Sequence, residues 1–357
     1  MIHRRDFLKF AGFSGAVTAF LGGLHPALAL TWQKIGTTSG VAGVWNKITP
    51  LIPITPLIGI SSLAAAQALG LALRSDGLVF ACGLNTYGGL GDNSTVSKLT
   101  YVQTTGVSNI MALAAGYTQS LALRSDGLVF ASGQNTYGQL GDNSTVNKST
   151  YVQTAGGSSI VALAAARFHS LALRSDGLVF ACGYNTYSQL GDNTTVHKSS
   201  FVQAVGVSNI VALAAGLNHS LALRSDGLVF ACGRNVNGQL GDNSTVDKLT
   251  YVQTTGVSNI VALAAGDTHS LALRSDGLVF ACGSNTSGQL GDNSIVNKST
   301  YVQTTGGSNI MALAAGQSQS LALRSDGLVF GSGSNANGRL GDNSTVNKST
   351  FVQAVSP

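Results

Sequence analysis

Short apolar runs separated by turn-forming residues recur along most of the chain. In one unit, Ile210–Ala215 is an apolar run, and Ser220–Arg224 alternates Leu with Ala or Arg. The turn Ser-Asp-Gly at 225–227 precedes the apolar run Leu228–Cys232, and Asp-Gly between two such runs is a strong β-hairpin signal. After a loop rich in Gly, Asn, Asp and Ser comes Tyr251–Gln253. The pattern predicts four short antiparallel strands.

The same unit repeats at a fixed period of 50 residues. The decapeptide Leu-Ala-Leu-Arg-Ser-Asp-Gly-Leu-Val-Phe occurs six times without change, beginning at Leu71, Leu121, Leu171, Leu221, Leu271 and Leu321. One four-stranded sheet per repeat is typical of a propeller blade. We therefore predict an all-β protein, a β-propeller of six near-identical 50-residue four-stranded repeats. The alternative is a β-solenoid with about two rungs per repeat.

The first 29 residues differ from the repeats. A basic start precedes an apolar stretch over Phe10–Leu24, and Ala27–Ala29 is a small-x-small site of the kind that signal peptidases cleave. Arg4–Lys9 resembles the twin-arginine export signal, with His3 where that motif usually has Ser or Thr. An ordinary secretion signal is the alternative. Because the stretch is short and no second one follows, we expect no membrane anchor. The leader predicts a periplasmic or secreted bacterial protein.

These observations predict three segments. Residues 1–29 form the twin-arginine-type signal peptide, 30–59 an N-terminal segment with a closing strand, and 60–357 the propeller of six repeats. Leu51–Ile54 stands where the repeats have their Tyr-Val-Gln strand, so it is the candidate for closing the ring. Two alternatives remain open, namely six blades, or six plus an incomplete seventh blade with strands from residues 31–48.

Composition and charge limit the function classes. Apolar residues make up 44% of the chain and charged residues 10%, so the chain can bury a core. The formal charge is +5, and removal of the leader leaves about +3. Because this charge is small and dispersed, with one Arg and one Lys balancing two Asp in each repeat, we expect no nucleic-acid partner.

The repeat resembles that of the regulator of chromosome condensation family. Gly216–Gly241 contains the His-Ser-Leu-Ala-Leu strand, the Asp-Gly turn and the Gly-x-Asn-x-x-Gly-Gln-Leu-Gly loop, and the likeness extends over 60–357. Cys232 and Ser132 stand where the family often has Trp. The resemblance implies a propeller. It also offers two functional precedents, which are nucleotide exchange on a small GTPase in eukaryotic members and β-lactamase inhibition by a secreted bacterial propeller of similar type.

Three histidines share one repeat position. His169, His219 and His269 occupy a position that holds Gln119 and Gln319 in other copies. Metal ligands must converge on one ion, whereas these residues lie on separate repeats and interchange with Gln. We interpret them as structural side chains that form hydrogen bonds within their own blade, and we predict no metal site and no cofactor.

Cysteine also alternates with another residue type at one position. The position holds Cys82, Cys182, Cys232 and Cys282, with Ser132 and Ser332 in the other two copies. Exchange with Ser favours a small buried residue, although an oxidising compartment permits a disulfide between adjacent blades as the alternative.

Four charged positions are identical in every repeat, as in Arg224, Asp226, Asp242 and Lys248. Rings of identical charges at a channel mouth are one interpretation of this pattern. We favour turn capping and pairing within each blade, because Asp in a Gly-Asp-Asn-Ser loop readily accepts hydrogen bonds from nearby backbone N–H groups.

Catalysis needs an asymmetric set of groups, and the repeats offer few. Asp247 and Asp267 are the acidic residues of the mature chain outside the repeat pattern. Asp267 with His269, Arg234 or His197 is an imaginable acid–base set, but no motif supports it. We predict no catalytic residues and a protein that is not an enzyme.

The copies differ mainly just before the His or Gln position and in the Gly-x-Asn loop. Aromatic and Arg residues, which anchor protein interfaces, gather at these places. The predicted partner-binding residues are Tyr87, Tyr117, Tyr137, Arg167, Phe168, Tyr184, Tyr187 and Arg234. We predict an exported module that binds a protein partner through one loop face. The alternatives are an exported polysaccharide lyase or hydrolase and a structural or adhesive surface protein.

Overall fold

The structure is a computed structural model that describes residues 57–356, and all of its regular elements are β-strands. Twenty-four strands form six four-stranded antiparallel sheets, one for each repeat. The sheets surround one channel, to which every sheet contributes residues, so the propeller prediction is confirmed. The predicted leader and the closing strand Leu51–Ile54 lie outside the described residues. Within 57–356, no helix is long and apolar enough to cross a membrane.

Each sheet, or blade, contains four strands in chain order from the channel outwards. The first strands are β1 (Ile60–Ala65), β5 (Ile110–Ala115), β9 (Ile160–Ala165), β13 (Ile210–Ala215), β17 (Ile260–Ala265) and β21 (Ile310–Ala315). The second strands are β2 (Leu69–Arg74), β6 (Gln119–Arg124), β10 (His169–Arg174), β14 (His219–Arg224), β18 (His269–Arg274) and β22 (Gln319–Arg324). The third strands are β3 (Val79–Gly83), β7 (Val129–Gly133), β11 (Val179–Gly183), β15 (Val229–Gly233), β19 (Val279–Gly283) and β23 (Val329–Gly333). The fourth strands are β4 (Lys98–Gln103), β8 (Lys148–Gln153), β12 (Lys198–Gln203), β16 (Lys248–Gln253), β20 (Lys298–Gln303) and β24 (Lys348–Gln353).

The β14–β15 hairpin illustrates the local rules that form each blade. Its register places Leu221 opposite Ala231. Gly227 in the turn has φ 82°, a conformation that glycine adopts without a Cβ clash. Across the same turn, the Arg224 guanidinium lies 2.8 Å from the Asp226 carboxylate. The invariant Arg and Asp therefore pair within the hairpin, as predicted, rather than line the channel.

Both surfaces of an inner blade are buried against its neighbours. Leu221 and Leu223 of blade 4 pack in one cluster with Ile260, Phe280 and Tyr301 of blade 5. Alternate residues of the same strands pack against blade 3, because successive side chains of a strand point to opposite faces. Burial of each such Leu contributes about 1.5–3 kcal/mol, so stability comes mainly from contacts between blades.

The two ends of the row of blades are different. Val329 of blade 6 is 40% exposed, whereas the equivalent Val279 of blade 5 is 1% exposed. On the opposite surface, Tyr101 of blade 1 is 40% exposed and the equivalent Tyr151 of blade 2 is 4% exposed. Within residues 57–356, blades 6 and 1 therefore do not pack against each other as neighbouring blades do.

The histidine position links blades, which corrects the prediction of hydrogen bonding within one blade. Nε2 of His169 lies 3.0 Å from Oγ of Ser220 on the next blade. Gln119 uses the same position to donate from Nε2 to the carbonyl oxygen of Ala166, also on the next blade, at 2.7 Å. The prediction failed because the sequence does not show which blade a side chain at the start of β10 will face.

The cysteine position also faces a neighbouring blade. Sγ of Cys182 lies 3.5 Å from the carbonyl oxygen of Gln139, and Oγ of Ser132 lies 3.4 Å from that of Gly89. Both side chains point at the same place on the preceding blade, which explains why Cys and Ser interchange. All four cysteines are free thiols, so the structure does not contain the alternative disulfide.

The invariant Asp of the long loop organises that loop. Asp242 accepts hydrogen bonds of 2.9 Å from both Asn235 Nδ2 and Ser244 Oγ, and Lys248 Nζ lies 3.1 Å away. Burial alone would raise the pKa of Asp242, but the bonds from Ser244, Lys248 and Asn235 outweigh it and lower the pKa. The predicted capping role is confirmed, and the loop is held in one shape in each blade.

Candidate functional site

The two ends of each blade differ in variability. One end carries residues 66–68 and 84–97 with their equivalents in the other blades, and these contain the positions at which the copies differ most. We call this end the variable face. The opposite end carries the Ser-Asp-Gly turns, which are identical in all copies. Because strands alternate in direction, both variable segments of a blade lie at the same end of its sheet.

Aromatic side chains of blades 2 and 3 form a contiguous cluster on the variable face. The ring centroid of Tyr137 lies 5.3 Å from that of Phe168, 4.9 Å from Tyr184 and 5.2 Å from His197. Tyr184 is also 6.2 Å from Tyr187. These distances and the steep angles between the rings are those of favourable edge-to-face contacts. Tyr137 therefore joins blade 2 to blade 3.

Two arginines extend this cluster at its ends. The Arg167 guanidinium carbon lies 4.5 Å from the ring centroid of Tyr117 and 4.9 Å from that of Phe168. Arg234 of blade 4 lies 4.7 Å from the ring centroid of Tyr187. The aromatic–arginine cluster, as we call it, consists of Tyr117, Tyr137, Arg167, Phe168, Tyr184, Tyr187, His197 and Arg234.

Seven of the eight predicted partner-binding residues thus lie in one cluster, and Tyr87 does not. Tyr87 occupies the same repeat position as Tyr137 and is 38% exposed. Tyr137 of blade 2 contacts Tyr184 of blade 3. The residue of blade 2 that is equivalent to Tyr184 is Gln134, so Tyr87 of blade 1 has no such aromatic contact. His197 was missing from the prediction. Its position varies among Ser, Asn, His and Asp between copies, which was a usable signal.

A buried asparagine holds the loop that presents Tyr184 and Tyr187. Asn185 Nδ2 donates to Asp192 Oδ1 at 2.9 Å, and Asn185 Oδ1 accepts from Leu190 N at 3.0 Å. The backbone N–H of Asn185 donates to Nδ1 of His197 at 3.0 Å. The same framework recurs in every blade, so an invariant scaffold displays variable side chains.

A pocket of about 390 Å³ lies where the blades meet at the channel. Its walls are Ala and Gly residues at the ends of the first strands. At Gly216 and Gly266 an added Cβ would overlap the histidine of the same blade as it is placed there, whereas blade 3 combines Ala166 with His169 at the equivalent positions. Side chains from all six blades surround the pocket at one repeat position, and they are Gln67, Tyr117, Arg167, Leu217, Asp267 and Gln317. Arg339 completes the lining, and we call this the channel-mouth pocket.

Asp267 is the single carboxylate of the channel-mouth pocket among the described lining residues. Its burial raises the pKa of the carboxyl group, and this effect outweighs the hydrogen bond with Gln317 and the charge of Arg167, which lower it. No cationic nitrogen of the described residues lies within 4.0 Å of this carboxylate. The carboxylate therefore retains unused hydrogen-bonding capacity that faces the pocket.

The repeat framework and the variable face differ in whether their charged side chains form ion pairs. Each blade contains one Arg–Asp and one Lys–Asp pair, at 2.7–2.8 Å and 3.1–3.4 Å respectively. Across residues 57–356, Arg167, Arg234 and Arg339 are the arginines without a carboxylate within 4.0 Å, and Asp247 and Asp267 are the unpaired acids. All five lie on the variable face. The framework neutralises itself, whereas these five charges have no ion-pair partner among residues 57–356.

The acid–base set considered from the sequence is not assembled. His269 is buried and its Nε2 lies 3.0 Å from Ser320 on the next blade. Arg234 and His197 belong to the aromatic–arginine cluster, and no described contact joins either of them to Asp267. In residues 57–356, no three His, Cys, Asp or Glu side chains lie close enough together to hold a metal ion.

Comparison with known families agrees with the repeat motif. The profile of the RCC1-like domain matches residues 35–356, nearly the whole chain. The chain belongs to the RCC1-like domain family. The resemblance to the regulator of chromosome condensation repeat is thereby confirmed. The RCC1-like match also begins before the first described residue.

Solved RCC1-like structures share the fold. Human WBSCR16 has a TM-score of 0.73 and 23% identity, with 84% of this chain and 83% of that chain covered. Yeast RCC1 (Prp20) bound to Kap60 has a TM-score of 0.73 and 23% identity, with 83% and 75% covered. Prp20p of Saccharomyces cerevisiae, studied for its binding to Gsp1p and histones, has a TM-score of 0.73 and 24% identity, with 83% and 77% covered. At these identities the likeness establishes the propeller fold alone. No curated protein matches this RCC1-like chain significantly.

Proposed function

We propose that this RCC1-like propeller is an exported module that binds a protein partner through the aromatic–arginine cluster. The observation that carries the proposal is the contiguity of that cluster, which spans blades 2 to 4 on the variable face. Tyr and Arg contribute most to binding energy at protein interfaces, because they combine large contact areas with hydrogen-bonding groups.

The pre-ordered geometry of the cluster supports this function. Tyr137, Phe168 and Tyr184 contact one another at their ring edges, so their positions are fixed before a partner arrives. An interface that is already ordered loses less conformational entropy on binding. The relative Prp20 binds Kap60 in its solved complex, which is a precedent for partner binding by a protein that contains this fold.

The place of action in this proposal is the periplasm or the outside of a bacterial cell. It rests on the leader, in which Arg4–Lys9 resembles a twin-arginine signal and Ala27–Ala29 resembles a cleavage site. The proposed export route can be tested by fusing residues 1–29 to a reporter. The reporter should be one that is active outside the cytoplasm only if it folds before export. Replacement of Arg4 and Arg5 by Lys should retain the reporter in the cytoplasm.

A polysaccharide-cleaving enzyme would have unique charged residues at one mouth of the channel, and Arg167, Asp267 and Arg339 lie there. Hydrolysis of a glycosidic bond usually requires a pair of carboxylates that flank the bond. Asp267 is the one carboxylate among the described residues that line the channel-mouth pocket. Among the described lining residues, this pocket therefore lacks the carboxylate pair that a hydrolase would use.

The test is capture of partners from a cell-envelope extract by purified mature protein. The double variant Tyr137→Ala with Tyr187→Ala removes two tyrosine rings of the cluster and should reduce capture of the specific partner at least about tenfold. Tyr87→Ala is the matched control, because Tyr87 has the same repeat position as Tyr137 but makes no aromatic contact. If the double variant retains every partner, the cluster is not the interface.

A further inference from the structure

The repeats differ strongly at the position that lines the channel-mouth pocket. Its six equivalent lining positions hold five different residue types, whereas the flanking Ala of the first strands is the same in all copies. Near-identical blades would by themselves line a channel with rings of identical groups. The variation instead gives this pocket a distinct polarity on each side.

The order of the side chains around the pocket is chemically specific. Arg167 of blade 3 and Asp267 of blade 5 are separated by Leu217 of blade 4. Moving around the mouth, a ligand would therefore meet a guanidinium, then an apolar surface, and then a carboxylate. Arg167 and Asp267 are more than 4.0 Å apart and do not neutralise each other as an ion pair.

Neighbouring side chains interact with both charged groups. Arg167 stacks between the rings of Tyr117 and Phe168, at 4.5 and 4.9 Å. Stacking leaves the N–H groups at the edge of a guanidinium free to bind a carboxylate in the bidentate manner. Gln317 of the next blade interacts with the Asp267 carboxyl group and lowers its pKa, an effect that burial outweighs. The pocket volume of about 390 Å³ lies at the lower end of the range for small-molecule sites.

We propose that the channel-mouth pocket binds a small zwitterion, a molecule with a carboxylate and an ammonium group joined by a short aliphatic stem. The carboxylate accepts hydrogen bonds from Arg167, the stem packs on Leu217, and the ammonium donates to Asp267. Arg339 lines the pocket as a second guanidinium, so the net charge of the three ionic groups also disfavours a diamine. This inference does not depend on the proposed protein partner.

The experiment is isothermal titration calorimetry of the purified mature protein with ligands of increasing stem length. The series is free glycine, β-alanine, γ-aminobutyrate and ε-aminocaproate, and the controls are succinate and putrescine. We expect affinity to peak at one stem length, and both controls to bind at least about tenfold more weakly than the best zwitterion. Equal binding of succinate would overturn the role given to Asp267, and no binding by any zwitterion would overturn the proposal.

Two variants locate the site. Arg167→Gln and Asp267→Asn should each weaken binding of the best zwitterion at least about tenfold. Neither should change the midpoint of thermal unfolding. The matched control is Arg174→Gln, which removes an arginine from the opposite end of the same blade. Unchanged affinity in both pocket variants would exclude this pocket. The Tyr137→Ala, Tyr187→Ala variant should keep zwitterion binding, so failure of one proposal is distinguishable from failure of the other.

Discussion

Nε2 of His169 lies 3.0 Å from the hydroxyl oxygen of Ser220 on the next blade. Ser220 donates its only hydroxyl proton to the carbonyl oxygen of Gln189, at 2.7 Å, so the imidazole must be the donor in the first contact. The neutral ring therefore carries its proton on Nε2. Nδ1 is buried and has no hydrogen-bond partner among the described residues. Protonation of Nδ1 would place a charge in a dry interface between blades.

Acid should therefore destabilise the propeller at pH values well above those at which carboxylates titrate. Burial lowers the pKa of His169 and His219 to about 3 and that of His269 to about 4. Below pH ~6.5 the unfolded chain binds protons at these residues and the native protein does not. The free energy of unfolding should fall by up to about 1.4 kcal/mol per pH unit for each histidine. Urea unfolding at pH 7.0, 6.0 and 5.0 measures this.

The control for acid sensitivity is already present in the chain. Gln119 forms the link between blades without a titrating group. The triple variant His169→Gln, His219→Gln, His269→Gln should keep most of the stability at pH 7 and lose most of the slope between pH 6.5 and 4.5. A slope equal to that of the original protein would contradict the assignment to these histidines.

Backbone strain in blade 3 gives a second prediction. Ser188 has φ 64°, whereas the other five copies have Gly at this position. At the equivalent Gly138, an added Cβ would lie 2.5 Å from Cα of Ser199, which is too close for any real contact. Ser188→Gly should relieve the strain of a left-handed φ at a residue with a Cβ and raise the free energy of unfolding by about 1 kcal/mol. The reverse change Gly238→Ser should lower it by a similar amount, and chemical denaturation compares the two.

The sequence predicted the regular part of the molecule well, for physical reasons. Six copies of one pattern make each strand and turn visible six times, and the Asp-Gly turn with its Arg–Asp pair is a local feature. The sequence did not show which neighbouring blade a given side chain contacts. The hydrogen-bond partner of each histidine was predicted in the wrong blade, because the identity of a packing neighbour depends on how the blades are arranged around the channel.

The site was predicted in part. Aromatic residues at variable positions such as Tyr137 and Tyr184 were recognisable as a group. The variable position of His197 was a signal that the prediction did not use. Arg339 looks like an isolated substitution until the fold brings it to the channel-mouth pocket. The separation of Arg167 and Asp267 by Leu217 follows from the order of the blades, but their convergence on one pocket required the fold.

The exposed ends of the row of blades give a third prediction. Val279→Ala removes methyl groups from a packed interface and should cost about 2 kcal/mol of unfolding free energy. Val329→Ala makes the same change where the side chain is 40% exposed, so it should cost less than about 1 kcal/mol. Urea midpoints of the two variants in the mature protein provide the comparison. Equal losses would mean that the end surface of blade 6 is covered by something other than residues 57–356.

The scaffold beneath the aromatic–arginine cluster gives the last prediction. Asn185 is buried and is bonded to Asp192 Oδ1, Thr194 O and Val196 O, while its own Oδ1 accepts from Leu190 N. Asn185→Ala would leave these groups unpaired, so it should cost about 2–3 kcal/mol and loosen the loop that carries Tyr184 and Tyr187. Under the proposed function, partner capture should also fall, although Asn185 itself is inaccessible.

Asn285→Ala separates the two effects. Asn285 has the same buried position and the same set of bonds in blade 5, where the loop carries Ser284 and Ser287 in place of the tyrosines. The Asn285→Ala variant should lose a similar amount of unfolding free energy, and its partner capture should be unchanged. Denaturation and capture measured on both variants make the comparison. If Asn285→Ala reduces capture as much as Asn185→Ala does, binding depends on overall stability or on another surface, and the loop of blade 3 has no special role.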